Sequence, residues 1–338
     1  MSQAATSEMQ NLSSAPPQRS SSGPLISGNA NDFRSLLNVD SFQFKHNLVG
    51  HPLFQPDRLA KMSERVLSAG RERSYVLCKV AESVPNIGKQ WTNFTTTERV
   101  AEAIKHIRES GTWIMIAGAQ VDPDYQILLD TLVDELQDLC GIPLRNQMTW
   151  LDCTLFIGSP NSVTHFHLDT ETNFLFQVHG SKEAHLFDQK DRSIVSDQDL
   201  EAYYWDRSNA LTFREEFERK AKVIDFKQGT GIHIPVNAPH WVKNLDDYSV
   251  TFSVLLYLKA IDRRSWIYQV NHTLRGLGLN PTPPGVSATK DFFKSRLVEA
   301  FSPRSPQTKD ELLRTGIKRL TKPLRAVAKL KRMVTREA

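Results

Sequence analysis

Between residues 149 and 258 the chain alternates apolar and polar positions over short runs: TWLDCTLFIG, VTHFHLD, NFLFQVHG, EAHLFD, AKVIDFK, GIHIPV and YSVTFSVLLYL. Gly, Pro, Asn and Asp break the runs. Alternation at period two is the pattern of a strand with two different faces, and a series of such strands predicts a β-sandwich or barrel. In VTHFHLD that period places His165, His167 and Asp169 on one face and Phe166 and Leu168 on the other. Upstream the period changes. FQPDRLAKMSERVLSA and TTTERVAEAIKHIRESG carry apolar residues at three- and four-residue spacing and predict helices. FQFKHNL and TWIMIAG predict strands. Asp122 and Pro123 predict a cap and first turn for a helix striped by Ile127, Leu128, Leu132, Leu136 and Leu139, which stops at Gly141.

The insertion SDQDLEAYYWDRSNALTFREEFERKA is expected to be partly helical, with Tyr203, Tyr204 and Trp205 bordering the barrel mouth. After residue 261 helices return, with LNPTPPG between two of them. The organisation predicted is a disordered segment 1–31, an α/β region 32–148 packing on the barrel, a metal-binding core 149–260, a helical region 261–311 and a basic amphipathic tail 312–338.

Charge sharpens the division. Residues 312–336 hold nine Lys or Arg and no acid, and the remaining 33 basic and 38 acidic residues leave the rest at net −5. The apolar positions Leu320, Leu324, Val327, Leu330 and Val334 fit one side of a helix. That helix is expected to pack on the domain or on a second subunit, as in a homodimer, or to contact a polyanion. No apolar run reaches the roughly 18–20 residues of a membrane span, and the N-terminus lacks the pattern of a secretory signal. Cys78, Cys140 and Cys153 are scattered, which fits a reducing compartment. The expectation is a cytoplasmic protein.

The chemistry centres on His167, Asp169 and His240. Two histidines and one carboxylate on one face of a ferrous ion leave three positions open for other ligands. Residues two apart on a strand lie about 7 Å apart and both reach one ion. His240 follows GTGIHIPVNAPHW, a glycine turn, a short strand and a proline bend that can aim a side chain into a barrel.

The runs LFIGSPNSVTHFHLDTETNFLFQVHGSKEAHLF and GTGIHIPVNAPHW…YSVTFSV resemble the JmjC-type and cupin-like Fe(II)/2-oxoglutarate hydroxylases, with the hypoxia-inducible-factor asparaginyl hydroxylases as the most similar pattern. The resemblance covers about a third of the chain. It implies a double-stranded β-helix (cupin or jelly-roll) core flanked by N-terminal α/β elements and C-terminal helices. It implies iron on His167, Asp169 and His240, and 2-oxoglutarate held by Thr164 and Lys182 with Asn173 lining the pocket. It further implies hydroxylation of a protein side chain or small molecule through an Fe(IV)-oxo species. Asp169, where Gly or Ala would open a halide position, favours hydroxylation over halogenation.

A second ligand set remains open within the same fold. General cupins use three histidines and a glutamate; His165, His167, Glu171 and His240 fit that spacing, with Asn237 standing where the pattern has Gly. Such a site serves an enzyme without 2-oxoglutarate. A silent binding protein that keeps the fold is the third possibility. The triad is preferred because Lys182 has a role only with an acidic cosubstrate. His179, His185 and His233 are expected to be structural.

Overall fold

The computed structural model describes residues 23–69, 74–80, 97–206, 211–306 and 308–334, the last twelve, residues 97–98 and residue 80 through their backbone only. Twelve strands are found among them: β1 Ile26–Ser27, β2 Phe42–His46, β3 Tyr75–Val80, β4 Thr112–Ala117, β5 Met148–Gly158, β6 Val163–Leu168, β7 Thr172–His179, β8 Ser181–Leu186, β9 Lys222–Lys227, β10 Thr230–Ile234, β11 Pro239–Asn244 and β12 Ser249–Leu258. They form two antiparallel sheets, an eight-stranded one in the order β1-β2-β10-β7-β12-β5-β4-β3 and a four-stranded one in the order β6-β11-β8-β9. From β5 onward the chain passes back and forth between them, with β8 and β9 successive in one sheet: β5, β7, β10 and β12 lie in the large sheet, and β6, β8, β9 and β11 in the small one. The expected mainly β core with flanking helices is therefore present.

Period two explains the layering. On β7, Phe174, Phe176 and Val178 point away from the small sheet and join one core with Val250, Phe252, Val254 and Leu256 of β12. Helices Pro56–Ala69 and Pro123–Cys140 cover that face with Leu59, Met62, Leu129, Leu132 and Leu136. On the small sheet, Phe166, Leu168 and Trp241 pack against Tyr204, Phe213 and Phe217 of the insertion and Tyr268 of helix Lys259–Gly276. The faces assigned to His167 and Phe166 from sequence are thus correct.

Between the sheets the inner positions are mixed. Leu175, Ala184, Leu186, Ile232, Ile234 and Val242 make an apolar floor, while Asn173, Gln177, Thr251 and Ser253 are buried polar residues paired with one another. Thr251 donates to Gln177 at 2.7 Å and Ser253 donates to Asn173 Oδ1 at 2.8 Å. Gly180, at the corner from β7 to β8, has φ +73°, and a Cβ there would sit 2.2 Å from the Tyr248 carbonyl oxygen, so only glycine makes this turn.

Three expectations need correction. Strand β1 and helix Ala30–Leu36 lie within or start within the 1–31 segment expected to be disordered. The backbone amides of Leu25 and Ile26 donate to Glu135 at 2.9 and 2.7 Å, which ties that segment down; residues 1–22 lie outside the described residues. Ile127 is 61% exposed rather than part of its helix's buried stripe. The helix turns a paired stripe inward, Leu128 and Leu129 with Leu132, Val133 and Leu136, and Ile127 falls off its edge. The boundary set at 312 falls inside a helix, whose first turns pack on the domain, one of the alternatives expected for the tail. Helix Lys309–Val334 starts earlier, and Leu313, Ile317 and Thr321 are buried, with Ile317 packed on Trp266, Val270 and Val298. The side chains of Leu324, Val327, Leu330 and Val334 lie outside the described residues.

Asp122 caps the helix as expected, accepting from the Asp124 amide at 3.0 Å, and also meets Arg65 at 2.6 Å and Arg58 at 2.8 Å. Its two guanidinium partners hold its carboxyl below the usual range against the opposing effect of burial. Asp122→Ala is expected to destabilise the fold by about 2 kcal/mol or more, since a cap and a buried ion pair go together. Asp122→Asn, which keeps the cap acceptor, should lose less. Urea midpoints of the two variants check this; equal losses would show that capping contributes nothing here.

Candidate metal centre

β6 and β11 are neighbours, and their register sets His240 directly opposite His167. The two rings lie 4.1 Å apart between centroids. Asp169 follows β6 by one residue, on the face His167 shares. His167 Nε2 is 3.9 Å from Asp169 Oδ1, and His240 Nε2 is 3.9 Å from Asp169 Oδ2. One ligand atom from each of the three lies within 4.8 Å of the others, the group of that kind found among the described residues.

The histidine tautomers are fixed by the backbone. His167 Nδ1 faces the His165 carbonyl at 2.6 Å, and His240 Nδ1 faces the Ala238 carbonyl at 3.0 Å. A carbonyl only accepts, so each Nδ1 carries the hydrogen and each Nε2 presents a lone pair to the site. Burial, with the neighbouring His167 second, lowers the pKa of His240 to about 4, so its ring stays neutral and able to ligate at physiological pH. Asn173 donates to Asp169 Oδ2 at 2.7 Å and is itself held by Ser253. It therefore aims the carboxylate, a more specific role than lining the pocket.

Asn237, in place of the glycine of the general pattern, has φ +65°. Asparagine is among the residues that tolerate this left-handed geometry. Its amide donates to the Asp169 carbonyl at 2.9 Å, and Tyr204 donates to its Oδ1 at 2.8 Å. The loop carrying His240 is thus bolted to the turn carrying Asp169.

The triad opens into a cavity of about 520 Å³ whose walls include Thr164, Leu175, Lys182, Phe226, Val242 and Thr251. Lys182 stands on β8 facing inward and is 6% exposed. Burial lowers its pKa to about 7, with no acidic group among the described residues acting on it. Thr164 lines the same wall and accepts from Trp113 Nε1 at 2.9 Å. The six residues expected from sequence, His167, Asp169, His240, Thr164, Lys182 and Asn173, are therefore gathered on one cavity.

The three-histidine, one-glutamate set is not assembled. His165 Nε2 meets Lys79 Nζ at 2.7 Å, and Glu171 pairs with Lys309 at 3.2 Å. Neither joins the cluster at Asp169. The histidines expected to be structural have such partners: His233 bonds the Asn38 amide and the Asn173 carbonyl, His179 meets Asp247, and His185 meets Glu218 and stacks on Trp241. Of the aromatic trio in the insertion only Tyr203 lines the cavity. Tyr204 stacks on Tyr268 and Trp205 on His272.

Sequence reasoning missed Trp113, Lys79, Gln120, Asp152 and the whole mouth formed by Tyr257 and Lys309. A signal existed for the interior polar set alone: Asn173-x-x-x-Gln177 and Thr251-x-Ser253 keep period two inside otherwise apolar strands.

No protein-family model matches this sequence, and no curated protein matches it. Among solved structures, YcfD of E. coli is similar over 83% of this chain and 69% of its own, at 15% identity and a TM-score of 0.48. A structure described as YcfD, a ribosomal oxygenase from Escherichia coli, in complex with cobalt and 2-oxoglutarate aligns over 89% of this chain and 67% of its own, at 13% identity and a TM-score of 0.42. The oxalate decarboxylase of Lactobacillus farciminis aligns over 36% of this chain and 27% of its own, at 14% identity and a TM-score of 0.22.

Replacing His167, Asp169 or His240 by Ala is expected to abolish tight binding of a divalent metal, read by calorimetric titration with Mn(II). His165→Ala and Glu171→Ala should retain it. Asn173→Ala, which removes the donor that aims Asp169, should weaken it about 10–100-fold. Loss of metal in Glu171→Ala with retention in Asp169→Ala would reverse the ligand assignment.

Proposed function

We propose that this chain is an Fe(II)- and 2-oxoglutarate-dependent oxygenase of the JmjC-type, cupin-like kind, a hydroxylase built on a double-stranded β-helix. The alternation of β5, β7, β10 and β12 with β6, β8, β9 and β11 is the support for that architecture. One observation carries the functional reading. Two imidazole Nε2 atoms and a carboxylate oxygen converge within 4.8 Å on the wall of a cavity that also holds a buried lysine on which no acid among the described residues acts.

Each half of that observation fits one group. Two nitrogens and one oxygen on one side suit a ferrous ion with open positions. An ammonium buried without a counter-charge suits a carboxylate ligand, because a charge-assisted bond then replaces an uncompensated burial cost. Iron and 2-oxoglutarate, when bound, supply the oxygen activation and hydrogen abstraction of this class.

The chain's own residues supply the setting. His167, Asp169 and His240 would hold the metal, with the Nδ1–H bonds and Asn173 keeping their ligand atoms aimed inward. Lys182 and Thr164 would take the far carboxylate of the cosubstrate. Leu175, Phe226 and Val242 line the space between with apolar surface. Lys182 then carries a trade: its solitary burial costs stability in the empty protein and is the basis of acid recognition when loaded.

Two measurements test this. Anaerobic titration of the Fe(II)-loaded protein with 2-oxoglutarate should develop a weak visible charge-transfer band, and turnover should consume oxoglutarate only with iron present. A metal-loaded protein that shows neither overturns the reading. Lys182→Met should lose most oxoglutarate affinity, yet raise the melting temperature. The sign follows from linkage: the folded pKa of about 7 lies below the roughly 10.4 of an unfolded lysine. The burial cost is therefore complete below pH 7 and fades as pH climbs toward the unfolded value. The gain in melting temperature should shrink over that window. In wild-type protein loaded with Mn(II), oxoglutarate affinity should fall by roughly tenfold per pH unit above neutrality, as the free ammonium is lost. An affinity that Lys182→Met leaves unchanged would remove Lys182 from the site.

A further inference from the structure

The outer end of the cavity is closed by a part of the chain that does not belong to the barrel. Thr308, Lys309 and Asp310, at the start of helix Lys309–Val334, line it. The Lys309 ammonium lies 3.2 Å from a Glu171 carboxylate oxygen and 3.3 Å from the centroid of the Tyr257 ring. The Lys309 and Glu171 side chains are 16% and 12% exposed. Asp152 and Trp150, from β5, stand on the same wall, and the Lys309 charge acts on Asp152 and on Asp262.

The seat and its occupant come from different elements. Glu171 stands in the β6–β7 turn two residues past Asp169, and Tyr257 continues the inner face of β12 after Thr251, Ser253 and Leu255. An aromatic face beside a carboxylate in a largely desolvated setting is an arrangement that selects a cation.

The helix carrying Lys309 has other docking contacts. Leu313, Ile317 and Thr321 are buried farther along, and Arg314 donates to the Trp205 carbonyl at 3.3 Å. A cation in the first turn also stands at the unfavourable end of the helix dipole. What favours Lys309 in this position is the seat, not the helix.

We propose that Glu171, Tyr257 and Asp152 form a cation subsite at the cavity mouth, which takes the primary ammonium or guanidinium group of the substrate, and that Lys309 is the resident cation the substrate displaces. The inference rests on the oxygenase reading for the word substrate. The seat itself stands on the geometry of the mouth. Because the seat is already filled, an incoming cation binds only to the fraction of molecules in which Lys309 has left, and its apparent affinity is reduced by that fraction.

The test is calorimetric titration of the full chain, without added metal, using four probes. They are the Nα-acetyl N-methylamides of lysine and arginine, putrescine as a free amine, and the norleucine amide as a neutral control. Lys309→Ala should bind one or more of the cationic probes roughly tenfold more tightly than wild type, with norleucine unchanged. Lys309→Gln should change in the same direction, which keeps the test alive if the alanine variant folds poorly. Adding Glu171→Gln should cancel the gain. Preference for the amides or for putrescine distinguishes a peptide side chain from a small amine, and either supports the seat. No gain in either lysine variant overturns the proposal, as does an equal gain for norleucine, which would mean a merely enlarged hole. The oxoglutarate band is read on the same proteins. A band without cation gain overturns the subsite alone, and cation gain without a band overturns the oxygenase reading alone.

Discussion

A β-strand has two faces and no third, and the site depends on how this chain uses that limit. β6, β7, β11 and β12 each give one face to an apolar core outside the sheets and the other to the space between them. The inner positions are thereby freed from the demand for uniform packing. His167, Asn173, Lys182, His240 and Thr251 can occupy them because Phe166, Phe174, Trp241 and Phe252, on the opposite faces, bury the apolar area that holds the sheets. A slip of one residue in β6 would send His167 into the cluster around Phe187 and Phe217 and bring Phe166 beside Asp169 and His240.

The polar interior is tolerable only because nearly every member is paired. Gln177 serves Thr251 and Ser249, Asn173 joins Ser253 to Asp169, and the histidine Nδ1 atoms spend their hydrogens on carbonyls. Each pairing satisfies a buried group and at the same time fixes the direction of a functional atom. Lys182 differs in one respect: its lowered pKa comes from burial, with no charged partner among the described residues acting on it. A buried group left in that condition points to a ligand more strongly than a well-paired one does.

Around this interior the added elements act as closures. The insertion between β8 and β9 covers the outer face of the small sheet through Tyr204, Phe213 and Phe217, and reaches the cavity through Tyr203, whose hydroxyl donates to the Leu168 carbonyl at 3.0 Å. The last helix, docked by Leu313 and Ile317, brings Lys309 to the mouth. One end of the cavity is therefore set by rigid strand register and the other by side chains from separately packed helices.

The amino-acid sequence alone determined what is local. Alternation in VTHFHLD fixed the faces of Phe166, His167, Leu168 and Asp169, whereas the irregular β6–β11 register, which no local period shows, puts Thr164 on the cavity with His167 and Val163 beside Phe166. Asp122 and Pro123 fixed a helix start, since a cap needs only its own next turn. The pairing of His240 with His167 was legible only through resemblance, because no spacing rule specifies which strands become neighbours. What the tertiary structure decided is the fate of residues whose partners are distant. Glu171 and His165 have metal-ligand spacing in the sequence, and are removed from the site by Lys309 and Lys79, lysines that lie 138 and 86 positions away. Asn173 donates to Asp169 from only four positions away, but its aim is held by Ser253, 80 positions on, and sequence distance does not encode where those two atoms meet.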